Sequence, residues 1–293
     1  MTVRGSVGLV GLGVMGRAVA ARLAEAGVPV IATSRTPATR DAAAAAVPQL
    51  AIRGTPAQVA AAGPVLVLTS LPSGAEVAQV AADLVGGLPP GRSLLLVDLS
   101  TTAPGEAAEL HARLGAGGHA AIDAPVSGGP TGARAGTLSI MAGATVDALR
   151  AAAPVLAHLG TVVHCGPPGA GQVAKACNQL VVAGTLVAVA EALALARRSG
   201  VDPALVRSAL LGGYAASRVL ELQGGRMLRG DFAGQGKAGL LAKDVRIVRE
   251  LAGDAALATP VLDAAGRVVD RLAARAPDID HCAVITVIEE TVP

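Results

Sequence analysis

Lys175 stands alone among charged residues in a long apolar part of the chain. It is the only Lys, Arg, Asp or Glu between Ala151 and Ala190, within the sequence GQVAKACNQL. An ammonium group in apolar surroundings has a lowered pKa, because desolvation disfavours the charged form. Such a group can give and retake a proton near neutral pH, as a general acid or base does. The structural alternative is a lysine whose ammonium reaches solvent from a helix end.

A glycine-rich loop near the N-terminus has the spacing of a nucleotide site. It follows a strand-like segment, Val7–Val10, and a helical pattern begins directly after it. In this arrangement the first glycine allows a tight turn, the second lets a pyrophosphate approach the backbone, and the third lets the helix pack on the strand. The sequence predicts a dinucleotide site, with a methyltransferase-type nucleotide pocket as the main rival. The candidate contacts are Gly11, Leu12, Gly13, Val14, Met15 and Gly16.

The second predicted strand ends without the acidic residue that an NAD site usually places against the ribose 2′-hydroxyl. The chain reads Ser34, Arg35, Thr36 at this point. A guanidinium binds a 2′-phosphate in bidentate fashion with help from hydroxyl groups, whereas a carboxylate would repel it. These three residues therefore predict NADP (NADPH) as the cofactor. An ordinary surface arginine in a loop is the alternative.

Two further loops are expected at the carboxyl edge of the sheet, where ligands bind in open α/β folds. Leu71 and Pro72 follow one predicted strand, and Ser100 and Thr101 follow the next. Their polar groups could contact a nicotinamide carboxamide. Hydroxyl residues near a helix start are, however, more often N-caps.

Ser127, Gly128 and Gly129 form a candidate anion site. Two successive glycines leave their backbone amides open beside a hydroxyl group, and backbone donors of this kind bind a carboxylate. We predict that these residues hold the carboxylate of a small carbonyl substrate. A glycine loop without a ligand is the alternative.

The order of predicted elements indicates how these residues are positioned. From residue 6 to about 164, β-branched apolar runs alternate with Ala-rich helical segments, which is typical of βαβ units and a parallel sheet. Beyond residue 168 the pattern is helical, with breaks near Gly200, Gly212, Gly230 and Pro260. We predict an α/β fold in which a Rossmann-type doubly wound sheet precedes an all-α domain, joined by a long interdomain helix. The predicted bounds are 1–167 for the NADP-binding domain and 168–293 for the substrate and dimerisation domain, with the linking helix at 168–199.

The linking helix is apolar nearly all round, so each of its faces must be buried by packing against other residues. A second subunit is the natural cover, and we expect a homodimer or a higher homo-oligomer. The most apolar run, Leu180 to Ala190, is too short to cross a bilayer, so no membrane partner is expected.

Composition argues against several classes of protein. A chain of 293 residues that is 52% hydrophobic can bury a large core, and its 24 basic and 22 acidic residues form no basic block for nucleic acid. Cys165, Cys177 and Cys282 lack metal-like spacing, so we expect small core residues and no metal site. The N-terminus lacks a secretory pattern, and we expect a cytoplasmic protein.

Five segments in order resemble the β-hydroxyacid dehydrogenase family, which includes 3-hydroxyisobutyrate dehydrogenase and the tartronate and succinic semialdehyde reductases. The resemblance covers nearly the whole chain. The segments are GLVGLGVMG at 8–16, DLSTTAP at 98–104, DAPVSGGPTGARAGTL at 123–138, GAGQVAKACNQ at 169–179 and KD at 243–244.

The resemblance implies roles for further residues. The family's catalytic lysine falls on Lys175, and its substrate-carboxylate loop falls on Ser127, Gly128 and Gly129. The family's substrate-contacting Asn position carries Gln179, with an Asn one residue earlier at Asn178. The KD pair places Lys243 near the cofactor and Asp244 near the lysine or the substrate, although charges on a helix could equally be a solvated pair.

The chain also departs from the family at Gly236, where relatives commonly have an aromatic residue, and we expect a more open substrate pocket. Together these features predict an NADPH-dependent oxidoreductase that interconverts a small aldehyde or keto acid and its hydroxy acid. An imine reductase on the same scaffold is the enzymatic rival. A catalytically silent NADPH-binding regulatory protein is the rival of another class.

Overall fold

The computed structural model describes residues 5–234 and 236–290 of the chain. By its internal contacts the chain divides into two compact units, Met1–Lys175 and Ala176–Pro293. The first unit is an α/β domain and the second is helical.

The first unit is built on one sheet, with strand order β3-β2-β1-β4-β5-β6-β8-β7 and β9 beside β8. Strands β1 to β6 pair in parallel, and the order reverses between β1 and β4. All four residues of β1 are buried, as expected for a central strand covered by helices on both faces. The strands are β1 (Val7–Val10), β2 (Val30–Thr33), β3 (Ala51–Ile52), β4 (Leu66–Thr69), β5 (Leu95–Asp98), β6 (Ala120–Asp123), β7 (Val126–Ser127), β8 (Leu138–Gly143) and β9 (Gly160–Gly166).

The doubly wound sheet predicted from the sequence is confirmed. Three of its strands, β3, β6 and β7, were not predicted, because β3 and β7 have two residues each and β6 has a single β-branched residue, Ile122. In addition, β8 runs antiparallel to β6 and β7, so the sheet is mixed.

The helices of the first unit begin at recognisable sequence signals. Thr36, Thr55, Ser73 and Thr145 each accept a backbone N–H in the first turn of the helix that follows. These helices are α1 (Val14–Glu25), α2 (Pro37–Ala46), α3 (Pro56–Ala61), α4 (Gly74–Gly86), α5 (Pro104–Ala116), α6 (Gly129–Ala135) and α7 (Val146–Leu156).

A single long helix, α8 (Ala170–Arg198), follows β9, as the sequence predicts. Among the described residues it is the one helix whose length and hydropathy would suffice to cross a membrane, with 29 residues and a window of mean hydropathy 1.9. The apolar run Leu180 to Ala190 is only the middle part of this helix. The argument that the run is too short to cross a bilayer therefore does not apply to the whole helix. Half of the window is buried inside the structure, and a core helix of a water-soluble protein passes the same test.

The second unit consists of helices around an aliphatic core that includes Leu186, Leu193, Leu220 and Val269. Predicted breaks are confirmed, since α9 ends before Gly212, α10 ends before Gly230 and α12 begins at Pro260. After α8 the helices are α9 (Pro203–Leu211), a π-helical turn (Leu220–Gly224), α10 (Gly225–Arg229), α11 (Ala238–Asp254), α12 (Pro260–Arg275), a 3-10 turn (His281–Ala283) and α13 (Val284–Glu289).

A buried ion pair lies within the second unit. Asp280 is fully buried, and its Oδ2 lies 2.8 Å from Nη1 of Arg226. The carboxylate also accepts the backbone N–H groups of Gly236 (2.9 Å) and Cys282 (3.0 Å). Burial by itself would raise the pKa of Asp280, but the two amides and the guanidinium outweigh it and hold the pKa well below its ordinary value.

The cysteines do not all lie in the core. Cys282 is buried, where desolvation raises the pKa of its thiol, while Cys165 is partly exposed and Cys177 is exposed. The prediction of three small core residues is therefore confirmed for Cys282 alone, and it is wrong outright for the exposed Cys177. It lies on the exposed side of α8, which the apolar sequence did not reveal.

Candidate functional site

The glycine-rich loop lies between β1 and α1, at the carboxyl end of the central strand. Gly11 has φ +101°, a conformation that glycine adopts without strain. Gly13 is the N-cap of α1 and is exposed, and no atom lies within 4 Å of the place where its Cβ would be. No side chain caps the first turn of α1 within the described residues, so its N–H groups can receive an anion. These features fit a dinucleotide pyrophosphate.

The other loop residues differ in exposure. The Leu12 side chain is fully buried in the core, so only its backbone faces the loop. Val14 is exposed, Met15 is partly buried and packs against the core, and Gly16 is buried against the carbonyl of Gly11.

The segment after β2 carries two arginines and a nearby carboxylate. Arg35 is exposed, and its Nη1 lies 3.0 Å from Oε1 of Glu76, at the start of α4. Arg40, on α2, donates from Nη1 to the carbonyls of Ser34 (2.7 Å) and Arg35 (3.3 Å). The Thr36 hydroxyl caps α2 through the N–H of Thr39. Arg40 and Glu76 were not identified from the sequence.

The loops after β4 and β5 are joined to each other. The buried Ser100 hydroxyl accepts the N–H of Leu71 at 2.9 Å, and the Ser100 N–H donates to Asp98 at 3.1 Å. The N-caps of the helices that follow are Ser73 and Ala103. Ser100 and Thr101 are therefore not N-caps, and Pro72 and Thr101 lie in the same pair of loops.

Lys175 lies next to the candidate carboxylate loop. Its side chain is buried (7% exposed), and its Nζ donates to the carbonyl of Val126 at 2.9 Å. Val126 directly precedes Ser127, Gly128 and Gly129. The structure thus brings the predicted proton donor and the predicted anion loop together within the first unit.

The anion loop has the backbone freedom that its glycines suggest. Gly128 and Gly129 are exposed and have φ values of +127° and +63°, in the region that favours glycine. Ser127 ends β7 and pairs with Ser139 of β8, which fixes its backbone. The two glycine amides directly follow this paired strand end.

Four further site candidates lie in the second unit. Gln179, one helical turn after Lys175 on α8, donates from Nε2 to Oδ2 of Asp244 at 2.6 Å and accepts from Nδ2 of Asn178 at 2.7 Å. Nζ of Lys243 lies 3.3 Å from Oδ1 of Asp244. The side chains of Lys243 and Asp244 are 19% and 10% exposed, so they are not a solvated pair.

Gly236 is not beside an open space. A Cβ at this position would lie 2.6 Å from Cε1 of His281, so an imidazole lies where the side chain of a larger residue would begin. Burial lowers the pKa of His281, although Asp280 and Asp244 partly offset this effect. The more open substrate pocket stays a prediction, and the His281 ring, not empty space, adjoins this position in the structure.

Comparisons with known proteins match both parts of this architecture. Residues 6–166 match a family model described as the NAD binding domain of 6-phosphogluconate dehydrogenase. Residues 169–288 match a model described as NAD-binding of NADP-dependent 3-hydroxyisobutyrate dehydrogenase.

Individual relatives cover nearly the same length. The chain is 33% identical over 286 residues to 2-hydroxy-3-oxopropionate reductase of Escherichia coli (strain K12), 97% of each chain. It is 34% identical over 266 residues to NAD-dependent L-serine dehydrogenase of Pseudomonas aeruginosa, 87% of this chain and 88% of that one. The structure of Mycobacterium tuberculosis 3-hydroxyisobutyrate dehydrogenase with L-serine has a TM-score of 0.85 and 30% identity, covering 98% of this chain and 99% of that one.

The fold and the glycine loop, with these relatives, define an oxidoreductase that uses a nicotinamide cofactor. The chain belongs to the β-hydroxyacid dehydrogenase family, as the sequence segments predict. Structures of imine reductases and reductive aminases have TM-scores of 0.62 to 0.64 and are 19% to 23% identical, which shows a shared fold alone.

Proposed function

We propose that this enzyme uses NADPH to reduce a small aldehyde or keto acid of the semialdehyde class to its hydroxy acid, reversibly. The observation that carries the proposal is the hydrogen bond from Nζ of Lys175 to the carbonyl of Val126, directly before the Ser127–Gly129 loop. A cation and a carboxylate-binding loop at adjacent positions suit a substrate that carries both a carbonyl and a carboxylate. The relatives whose names include hydroxyacid substrates support the same class.

When bound, the nicotinamide cofactor supplies the hydride for the carbonyl carbon. The proposed role of Lys175 is to place its ammonium group at the carbonyl oxygen of the substrate and to donate a proton as negative charge develops there. The resulting neutral amine regains its proton from solvent. In the oxidative direction the same amine accepts the hydroxyl proton.

Ser127, Gly128 and Gly129 are proposed to hold the substrate carboxylate. Two exposed glycine amides and one hydroxyl can converge on a carboxylate, and hydrogen bonds to a charged group contribute about 1.5–3 kcal/mol each. Gln179, Asn178 and Asp244 stay predicted substrate contacts, and Lys243 stays a predicted cofactor contact.

Ser127→Ala is expected to raise KM for a carboxylated aldehyde roughly 10-fold or more, with kcat little changed, because the lost hydrogen bond acts equally in the ground and transition states. Steady-state kinetics with saturating NADPH measures this effect. The methyl ester of the same aldehyde is the control, since it presents no carboxylate. An equal loss for acid and ester would refute the assignment of Ser127.

The proposed preference for NADPH rests on the segment after β2. Arg35 is exposed, so its guanidinium is accessible to a 2′-phosphate, and Arg40 lies further along the same segment with its guanidinium on the Ser34 and Arg35 carbonyls. Glu76 counts against a phosphate, because its carboxylate already pairs with Arg35. We propose that the two arginines outweigh this carboxylate.

Arg35→Ala is expected to weaken NADPH binding about 10-fold or more and leave NADH binding unchanged, because only NADPH loses a charge-assisted contact. Glu76→Gln should instead tighten NADPH binding by a few fold, since an exposed ion pair is worth up to about 1 kcal/mol. Titration of each variant with both cofactors measures these effects. Arg150→Ala, which removes an exposed arginine paired with Asp147, is the matched control.

A loss of NADH affinity equal to that of NADPH in Arg35→Ala would contradict the 2′-phosphate role.

The homo-oligomer also stays a proposal, supported by the exposed apolar residues Val181 and Leu195 on α8, which are 62% and 67% exposed. A cytoplasmic location likewise stays a proposal.

The experiment that tests the proposed function follows NADPH oxidation with small semialdehydes, keto acids and cyclic imines. Turnover of a carboxylated carbonyl supports the proposal. Turnover of imines alone would favour the imine reductase, and tight NADPH binding without turnover of any of them would favour a regulatory protein.

A further inference from the structure

The helix that carries Lys175 has no capping side chain of its own. Gly169 is the N-cap of α8, since its carbonyl accepts the first intrahelical N–H, from Val173. A glycine N-cap offers no side-chain oxygen to the N–H groups of the first turn. These groups must find partners elsewhere in the molecule.

Asp123, at the end of β6, provides the missing cap. It is 2% exposed, and its Oδ1 accepts the N–H of Gly169 at 2.8 Å while Oδ2 accepts the N–H of Gln172 at 3.0 Å. A carboxylate at a helix N-terminus also interacts favourably with the helix dipole. One side chain thus satisfies two backbone donors at the start of α8 from a strand that lies 46 residues before Gly169 in the chain.

Two glycines pack closely against this carboxylate. A Cβ at Gly143 would lie 2.5 Å from Oδ1 of Asp123, and one at Gly171 would lie 2.8 Å from its Oδ2. His111 contributes Nε2 at 3.3 Å from Oδ1. The position of the carboxylate, and with it the first turn of α8, is therefore closely defined.

Gln172 ties the same turn to a second strand. It is 1% exposed, and its Oε1 accepts the N–H of Thr102 at 3.1 Å while its Nε2 donates to the carbonyl of Ser100 at 2.9 Å. Both partners lie in the loop after β5. The first turn of α8 is thus fixed to the ends of two adjacent strands, and Lys175 lies on the next turn of the helix.

We propose that Asp123 and Gln172 are positioning residues for Lys175. By anchoring the first turn of α8 to the ends of β6 and β5, they place the ammonium group at the Val126 carbonyl, beside the anion loop. The inference rests on the proposed function, because it takes Lys175 as the proton donor. Neither residue is assigned contact with substrate or cofactor.

A purely structural role is the competing explanation, and Asp98 provides a matched control. It occupies the equivalent register position on the neighbouring strand β5, opposite Asp123, and is 5% exposed. Its Oδ1 accepts the Thr69 hydroxyl (2.7 Å) and the Ser100 N–H (3.1 Å), both outside α8. Asp98→Asn therefore perturbs a buried carboxylate of the same sheet without removing a cap from the helix.

Asp123→Asn is expected to lower kcat by about 10- to 100-fold, because a small displacement of a reacting group has effects of this size. The affinity for NADPH should not change. The decisive comparison repeats the substitution in a Lys175→Ala enzyme whose activity is restored by added methylamine. Because that enzyme has no lysine to position, adding Asp123→Asn should leave its amine-rescued rate unchanged.

Gln172→Met, which removes both side-chain hydrogen bonds at similar volume, should follow the same pattern with a smaller loss of kcat. Asp98→Asn should lower kcat no more than Gln172→Met does, because Asp98 reaches α8 only through Ser100 and Gln172. If the amine-rescued rate is too low to measure, the pH profile of kcat for Asp123→Asn distinguishes the positioning role from a purely structural one. A displaced ammonium group shifts the profile, whereas a smaller folded fraction only scales it.

Equal losses of kcat from Asp123→Asn in the Lys175 and Lys175→Ala enzymes would overturn the positioning role alone. The same holds if Asp98→Asn reproduces the full effect. If Lys175→Ala keeps the wild-type kcat, the proton-donor assignment fails and the positioning role fails with it.

Discussion

Replacing Lys175 with alanine is expected to lower kcat by about 10²–10⁴-fold, the usual contribution of a positioned general acid. The side chain is buried, and its Nζ lies 2.9 Å from the Val126 carbonyl, beside the anion loop. The affinity for NADPH should be preserved, because the proposed cofactor contacts come mainly from the glycine loop and the segment after β2. Single-turnover and steady-state rates, together with an NADPH titration, measure the two effects.

Lys237→Ala is the matched control for this substitution. Lys237 is one of the chain's few lysines, but it is half-exposed and pairs with Asp278 at 2.7 Å. Its loss should leave kcat unchanged. A Lys175→Ala enzyme that still reduces its substrate at the wild-type rate would refute the proton-donor role.

Replacing Asp280 with asparagine is expected to lower the free energy of unfolding by about 3 kcal/mol at neutral pH, because Arg226 would lose its buried counter-charge and keep only the half-exposed Asp231. The carboxylate is fully buried and lies 2.8 Å from the guanidinium. Chemical denaturation of both proteins, followed by circular dichroism, measures the difference. Asp278→Asn, which breaks the exposed pair with Lys237, should cost at most about 1 kcal/mol and is the control.

The effect of Asp280 should also depend on pH. Because its pKa is lower in the folded state than in the unfolded state, the unfolded chain binds more protons as the pH falls, and the contribution to stability is lost below the ordinary value of 3.8. The difference between wild type and Asp280→Asn should therefore be constant above this pH and shrink below it. A difference that stays constant through acid pH would contradict the stabilising ion pair.

Much of the fold could be predicted from local sequence patterns. The glycine loop between Val7–Val10 and α1 combines a strand, a turn and a helix in one short segment, so its structure follows from neighbouring residues alone. The long helix α8 follows from an apolar segment with no internal proline. By contrast, β3 and β7 have two residues each, and such short strands exist only because the rest of the sheet presents an edge to them.

The parts of the candidate site that were missed depend on residues far apart in sequence. Glu76 meets Arg35 across 41 positions, and Asp123 meets the start of α8 across 46. Gln172 lies in the same segment as Lys175, but its importance comes from the loop after β5, which no local pattern connects to it. His281 beside Gly236 is a similar case, since a glycine indicates space only where no other side chain enters.

The proposed reduction of a carboxylated carbonyl is tested most directly by measuring NADPH oxidation by the wild-type enzyme. Small semialdehydes would be compared with their methyl esters, which keep the carbonyl and lose the carboxylate. We expect turnover of at least one acid and a much lower kcat/KM for its ester. No turnover of any carboxylated carbonyl, or equal kcat/KM for acid and ester, would contradict the proposed function.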